Sequence, residues 1–277
     1  MRAAAVQLSC TPDMDRNLEA AERLVRAAVA DGAELVVLPE RMDVRGSTED
    51  YARAAEPLDG RPLRWARALA RELSIDLVAG SIAERRAGHE RLANTSAHIG
   101  PDGELKAVYR KLHMFDVEVG GVTYRESEHS EPGDEIVLSQ TADDTGLGLT
   151  ICYDLRFPEL YRILALRGAR IVTIPANFTK VTGAAHWDVL VRARAIENQL
   201  FVIAAGQSGQ QPPDGESYGN SLIVDPWGEV LARADGDAEQ VVAAELDLAR
   251  QDELRERLPS LANRVPAAYR WPQEVHA

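Results

Sequence analysis

Cys152, Glu40 and Lys111 lie far apart in a chain of 277 residues, yet each stands in the same kind of place. Cys152 follows the short apolar run 147–151, and Pro158 shortly after it opens a helix, where a first-turn proline loses no needed N–H. Glu40 comes just past the run 35–38, which Pro39 ends, and Lys111 just past the run 105–109. Catalytic groups in α/β sheets collect at the carboxyl ends of strands. If the three strands run the same way, a thiol, a carboxylate and an amine meet at one edge of the sheet. A free thiol, with a pKa of ~8.5, offers few thiolates at neutral pH. Glu40 can take the thiol proton if burial makes it basic enough. Lys111 can hold the negative oxygen that forms when sulfur attacks a carbonyl. The bland alternatives stay open here: a small buried cysteine, a surface lysine, or an imidazole base supplied by His113 or His186.

The elements that must position these groups follow from periodicity and punctuation. Residues 3–8 read as a strand, followed by a helix with Leu18, Ala21, Val25, Ala28 and Val29 on one face and Gly32 as its stop. A strand at 34–38, a helix at 61–73 and a strand at 76–82 come next. Pro101-Asp102-Gly103 then turns a hairpin between 91–99 and 104–109. The stretch 111–135 reads as a long irregular loop, a length that is usually functional. Strands recur at 147–151, 170–174, 201–205 and 220–224, with helices at 158–167 and 185–198. After Asp225-Pro226-Trp227-Gly228, strands at 229–233 and 241–246 close the pattern, and the tail is helical and then irregular. No linker divides the chain, so residues 1–277 are expected to form a single α/β domain with mixed sheets.

Composition narrows the partners. A net charge of −13 argues against nucleic acid and anionic membranes, both of which need a basic face. The two cysteines, Cys10 and Cys152, make neither a metal-ligand spacing nor a disulfide framework. No stretch approaches the ~18 apolar residues of a membrane span, and the first residues are too short an apolar run for a signal peptide. The expected address is the reducing cytoplasm. Cys10 reads as a packing residue, Trp227 as an anchor for its hairpin, and Glu197 as a partner of Arg192 and Arg194 in a buried ion-pair network.

Leu38-Pro39-Glu40, Tyr109-Arg110-Lys111-Leu112-His113 and Ile151-Cys152-Tyr153-Asp154-Leu155-Arg156-Phe157-Pro158-Glu159 resemble the three catalytic motifs of the nitrilase superfamily of carbon–nitrogen hydrolases. The resemblance continues through Tyr124-Arg125-Glu126-Ser127, Pro175-Ala176-Asn177-Phe178, Thr182-Gly183-Ala184-Ala185-His186-Trp187 and Ser217-Tyr218-Gly219-Asn220-Ser221, in order, over nearly all of 1–258. The branch it resembles is the Nit subgroup, which includes ω-amidases and deaminated-glutathione amidases. It implies a four-layer α-β-β-α sandwich with two mixed sheets, a triad of Glu40, Lys111 and Cys152, and Glu126 as a second glutamate positioning Lys111 or the substrate. It implies an oxyanion held by Lys111 and the Tyr153 N–H, a thioester intermediate, and no metal or organic cofactor. The expected partner is a small amide bearing a carboxylate, with Arg156, Phe178 and Thr182 in its pocket. Arg156 has a plain alternative as an ion-pair partner of Asp154 or Glu159.

The same triad serves nitrilases and N-carbamoyl amidohydrolases, and a non-catalytic oligomeric binding protein is the reading from another class. Family members pair through the helix after the nucleophile and through the C-terminal tail. A homodimer using 158–167 and 247–277 is therefore expected. The chain departs from the subgroup at Gly120-Gly121-Val122-Thr123, which lacks a proline often seen before this glycine. The insert 210–216 is expected to edge the pocket.

Overall fold

Residues 1–211 and 215–270 are described by a computed structural model. The chain runs β1 (Arg2–Gln7), α1 (Met14–Ala30), β2 (Leu35–Val37), α2 (Thr48–Ala54), α3 (Arg61–Leu73), β3 (Asp76–Val78), β4 (Ile82–Glu84), β5 (Ala93–Ile99) and β6 (Leu105–Arg110). A hairpin of β7 (Asp116–Val119) and β8 (Val122–Arg125) leads to β9 (Leu138–Gln140), β10 (Gly146–Leu149), α4 (Pro158–Leu166), β11 (Ile171–Ala176), α5 (Lys180–Asn198) and β12 (Phe201–Gly206). A second hairpin, β13 (Ser208–Gln211) and β14 (Gly215–Tyr218), precedes β15 (Leu222–Val224), β16 (Val230–Arg233), β17 (Gln240–Glu245) and α6 (Leu248–Arg257).

Period-two alternation decides the layers. In β1, Ala4 and Val6 face α1 and α3, joining Leu24 and Val25 of one helix and Leu63 and Leu69 of the other. Ala3 and Ala5 face the opposite way, into a core shared with the second sheet and with Leu164 of α4 and Val191 of α5. Helices therefore cover the outer face of each sheet, and the two sheets pack face to face as an α-β-β-α sandwich. Each fully buried Leu, Ile or Val in these cores contributes about 1.5–3 kcal/mol. The first sheet has the order β17-β1-β2-β3-β5-β4, with β6 paired to β5, and the second has the order β16-β15-β12-β11-β10-β9. The near-continuous apolar runs of β2, β11 and β12 suit strands covered on both faces.

Strand direction brings the expected residues together. β2 runs parallel to β1 and β3, and the two antiparallel steps β3–β5 and β5–β6 turn β6 the same way. β10, β11 and β12 are mutually parallel. A parallel bridge between Leu8 and Gln207, with Ser208 N–H donating to the Leu8 carbonyl at 2.8 Å, ties the ends of β1 and β12 together. The carboxyl ends of β2, β6 and β10 thus open at one end of the molecule. They do so from two facing sheets, not from the edge of one.

Several elements differ from expectation. The strand expected at 76–82 is two strands, β3 and β4, broken at Gly80. That residue has φ +52° and lies so close to Pro39 that a Cβ would stand 2.0 Å from the Pro39 carbonyl oxygen. A side chain there would displace the segment that presents Glu40. The loop at 111–135 contains the β7–β8 hairpin, followed by a 3-10 turn at Glu126–Glu128. α5 starts at Lys180 rather than 185, because Thr179 caps it by accepting from the Thr182 N–H at 3.4 Å. α2, with a capping box of Ser47 and Asp50, and β9 were not anticipated. Trp227 is 63% exposed and so cannot anchor its turn by packing. It lines a surface groove with Phe201, Leu254 and Leu258. Of the insert 210–216, residues 212–214 lie outside the described residues, as do 271–277 of the tail. No helix among the described residues is long and apolar enough to cross a membrane.

Candidate active site

Glu40, Lys111, Glu126 and Cys152 line one cavity of about 370 Å³, a size suited to a small molecule. Glu40 is 5% exposed, and both oxygens of its carboxylate are held. Oε1 accepts from Lys111 Nζ at 3.2 Å and from Asn94 Nδ2 at 2.8 Å, while Oε2 accepts from the Asn177 N–H at 2.8 Å. Lys111 also donates to Glu126 Oε2 at 2.8 Å, and the same oxygen accepts from the Phe115 N–H at 2.8 Å. One ammonium thus lies between two carboxylates. Burial opposes its charge, but the fields of Glu126 and then Glu40 outweigh burial, and the Lys111 pKa is raised. Burial likewise works against an ionised Glu126, yet Lys111 and Arg41 overcome it and hold that carboxyl below its ordinary value.

Cys152 begins a 3-10 turn, Cys152–Arg156, with φ +47°, a left-handed conformation that costs a non-glycine residue roughly 1–2 kcal/mol. The strain is sustained by Asp154, which is fully buried beneath the turn. Its Oδ2 accepts from the Ile151 N–H at 2.8 Å and the Tyr109 hydroxyl at 2.6 Å, and its Oδ1 meets His113 Nδ1 at 2.7 Å. Burial first, and then the negative charge of Glu40, push the Cys152 thiol well above its ordinary pKa, with Lys111 pulling the other way. Burial and the Glu40 charge both favour the protonated thiol, and the two side chains line the same cavity.

Replacing Asp154 by alanine should lower the unfolding free energy by about 2–5 kcal/mol, because the Tyr109 hydroxyl and the Ile151 N–H lose a buried acceptor. Denaturant titration checks this, and a loss below about 1 kcal/mol would show that the turn holds itself.

Of the remaining expected residues, Tyr153, Phe178 and Thr182 line the cavity. Tyr153 lies in the first turn of the 3-10 segment, where backbone N–H groups lack intrahelical acceptors. Arg156 is not part of the lining. Its guanidinium rests 5.4 Å from the Phe178 ring centroid and 5.9 Å from that of Tyr153, and Nη1 is 3.2 Å from His186 Nδ1. Neither Asp154 nor Glu159 pairs with it. Neither histidine reaches the thiol: His113 is held by Asp154 and stacks on Phe157 at 3.5 Å, and His186 faces Arg156. Cys10 is buried with its thiol pushed up to about 12 by burial. Glu197 pairs with Arg194 at 2.9 Å but is only half-buried, and Arg192 donates to the Gly228 carbonyl instead of joining an ion-pair network.

Three residues escaped the sequence reading. Asn94, on β5, bridges both carboxylates, donating to Glu126 Oε1 at 3.3 Å as well as to Glu40. Its own Oδ1 is fixed by the Ser81 hydroxyl at 2.6 Å. Asn177 supplies a backbone N–H, which no side-chain pattern reveals. Arg41 lines the cavity beside Glu40. Asn94 stands in a strand whose seven residues are all buried, so its amide has to find its partners inside the protein.

The carbon-nitrogen hydrolase family model matches residues 2–256. The omega-amidase of Pongo abelii is 40% identical over 259 residues, covering 93% of this chain and 92% of that protein. The deaminated glutathione amidase of a Synechocystis strain is 40% identical over 266 residues, covering 95% and 97%. The crystal structure of the C. elegans NitFhit protein is similar with a TM-score of 0.90 and 38% identity, covering 97% of this chain and 66% of that one. A buried thiol, carboxylate and ammonium in one cavity, on a fold shared with these proteins, place this chain in the carbon–nitrogen hydrolase family, as a hydrolase acting on carbon–nitrogen bonds.

Proposed function

We propose that the chain is an amidase that hydrolyses the amide of a small carboxylate-bearing substrate to an acid, releasing ammonia or an amine. The observation that carries this reading is the convergence of Cys152, Glu40 and Lys111 in one cavity, with Lys111 Nζ 3.2 Å from Glu40 and 2.8 Å from Glu126. The identity of about 40% to both an omega-amidase and a deaminated glutathione amidase supports the substrate class.

Glu40 takes the thiol proton as the Cys152 sulfur attacks the carbonyl carbon. The oxygen, now negative, is held by the Lys111 ammonium and the Tyr153 N–H. Glu40 returns the proton to the nitrogen, the C–N bond breaks, and a thioester remains on Cys152. A water then gives its proton to Glu40 and attacks the thioester. Collapse of that intermediate expels the sulfur, which recovers its proton. Glu126 holds Lys111 charged and aimed through both steps. The pairing partner we infer is a second copy, through α4 and the tail 247–277, supported by the exposed Leu166 and Leu258 on those elements. The reducing cytoplasm suits the two free thiols.

The test is ammonia or amine release from α-ketoglutaramate, α-ketosuccinamate, deaminated glutathione and simple nitriles. Turnover of the amides is expected; turnover of nitriles alone would overturn the reading. Arg156→Ala should raise KM for α-ketoglutaramate about 10- to 100-fold more than for a neutral amide, the loss of one charge-assisted contact. That role requires Arg156 to leave the rings of Phe178 and Tyr153 when substrate arrives. An equal change for both amides would remove it from carboxylate binding.

A further inference from the structure

We infer that Asn94, aimed by the Ser81 hydroxyl, is a positioning residue for the base: it fixes the Glu40 and Glu126 carboxylates around Lys111 and so governs proton transfer without touching the substrate. The inference rests on the amidase reading above and adds a residue to its machinery. Asn94 is 1% exposed and Ser81 is fully buried, and neither is part of the catalytic cavity's lining. A side-chain amide has two N–H donors, and here both are spent on the acid pair. Nδ2 donates to Glu40 Oε1 at 2.8 Å and to Glu126 Oε1 at 3.3 Å. The backbone carbonyl of Asn94 accepts from the Lys111 N–H at 2.9 Å. One residue therefore contacts all three members of the charged cluster.

A chain of donors sets which way the amide faces. The Arg41 N–H donates to Ser81 Oγ at 3.1 Å, and the Ser81 hydroxyl gives its own proton to Asn94 Oδ1 at 2.6 Å. Turned over, the amide would set its oxygen against two carboxylate oxygens. Ser81 is fixed in turn by its backbone. Its N–H donates to the Pro39 carbonyl at 3.3 Å and its carbonyl accepts from the Met42 N–H at 3.0 Å, on both sides of Glu40. The segment that presents the base thus also aims the amide that holds it. Two carboxylates and one ammonium leave one negative charge in excess, where little water can screen it. Two neutral N–H donors offset that cost, and hydrogen bonds to charged groups are the strong ones. A second cation there would instead hold the carboxylates too firmly ionised to accept a proton. Among the described contacts, Glu40 Oε1 carries two side-chain donors, Lys111 and Asn94, and Oε2 carries one, the Asn177 N–H. Oε2 is therefore the oxygen with a lone pair open to the thiol proton.

The test uses the full chain and whichever amide of the panel above the wild type turns over fastest. Asn94→Leu keeps the shape of the side chain and removes both donors. Its kcat should fall about 10- to 100-fold, the loss of hydrogen bonds to charged groups. KM should change by less than about threefold, because the cavity walls are unaltered and Glu40 serves both half-reactions, which slow together. Ser81→Ala, which leaves the amide unaimed, should lower kcat about 3- to 10-fold. The double variant should be no slower than Asn94→Leu alone, to within about twofold, because Ser81 acts only through Asn94. A residue that merely filled space would give independent, multiplying losses. If Asn94→Leu does not fold, as judged by circular dichroism, Asn94→Asp, which has the same shape and at most one donor, is read in the same way. A kcat loss below tenfold at Asn94, a loss that appears in KM instead, or multiplying effects of the two substitutions overturns the inference. Failure of the wild type to hydrolyse any amide of the panel is a different result, and it removes the amidase reading itself.

Discussion

Cys152→Ala should abolish amide hydrolysis, with a loss on the order of 10⁴- to 10⁶-fold in kcat, the scale seen when a nucleophile is removed from a hydrolase. The fold should survive, because alanine meets the same left-handed backbone cost as cysteine and the clamp of Asp154 on Ile151 and Tyr109 does not involve the sulfur. Substrate binding should persist, since the cavity walls are unaltered and a slightly larger space replaces the thiol. Serine in the same place should be nearly as inactive. Its hydroxyl is a far weaker acid than a thiol, so Glu40 would have to remove a more tightly held proton. Mass spectrometry adds a second readout: acyl-enzyme trapped from an amide should map to Cys152 alone. Cys10 cannot substitute, being 2% exposed with its thiol pushed up to about 12. More than about 1% residual turnover in the purified alanine variant would mean that another group attacks the carbonyl, and the thioester scheme would fail.

How much of this was legible in the sequence depended on the length scale of the signal. Short apolar runs that end at Pro39 and at Cys152 told where strands stop, and strand ends are where side chains can face a cavity. The division into two sheets came from the family resemblance and not from the periodicity of the runs themselves. The runs 35–38 and 147–151 look alike as text, and only pairing partners decide which sheet each enters. The β7–β8 hairpin was missed because both of its strands are largely exposed and present no apolar face to mark their period. That miss mattered little for chemistry, since Glu126 was identified from its motif and the hairpin's role is to return the chain so that Glu126 meets Lys111. Arg156 shows the opposite limit. Four residues past Cys152 suggests a shared pocket, but at the end of the 3-10 turn the guanidinium lies over the rings of Phe178 and Tyr153, outside the cavity lining. Asn94 and Arg41 were invisible for a third reason: their significance lies in contacts across sequence separations that no local pattern encodes.

Glu40→Gln should have two effects of opposite sign. Amide turnover should fall on the order of 10⁴-fold, because a carboxamide can neither take the thiol proton nor hand it to the leaving nitrogen. Reactivity of the resting thiol should rise. In the wild-type protein burial is the first cause of the raised thiol pKa and the charge of Glu40 the second, while the Lys111 ammonium opposes both. The neutral amide removes the Glu40 contribution and leaves that of Lys111, so the thiol pKa moves down and the thiolate fraction at a given pH goes up. The rate of iodoacetamide labelling at Cys152, followed against pH, should therefore shift to lower pH in the variant. Lys111→Met should shift it the other way, since the stabilising cation is gone. A glutamate that merely braced the site would give a different pattern: turnover and labelling would fall together, with no displacement of the labelling profile. Labelling that moves to higher pH in Glu40→Gln would show that the thiol is governed by some other charge, and Glu40 would lose its place as the base.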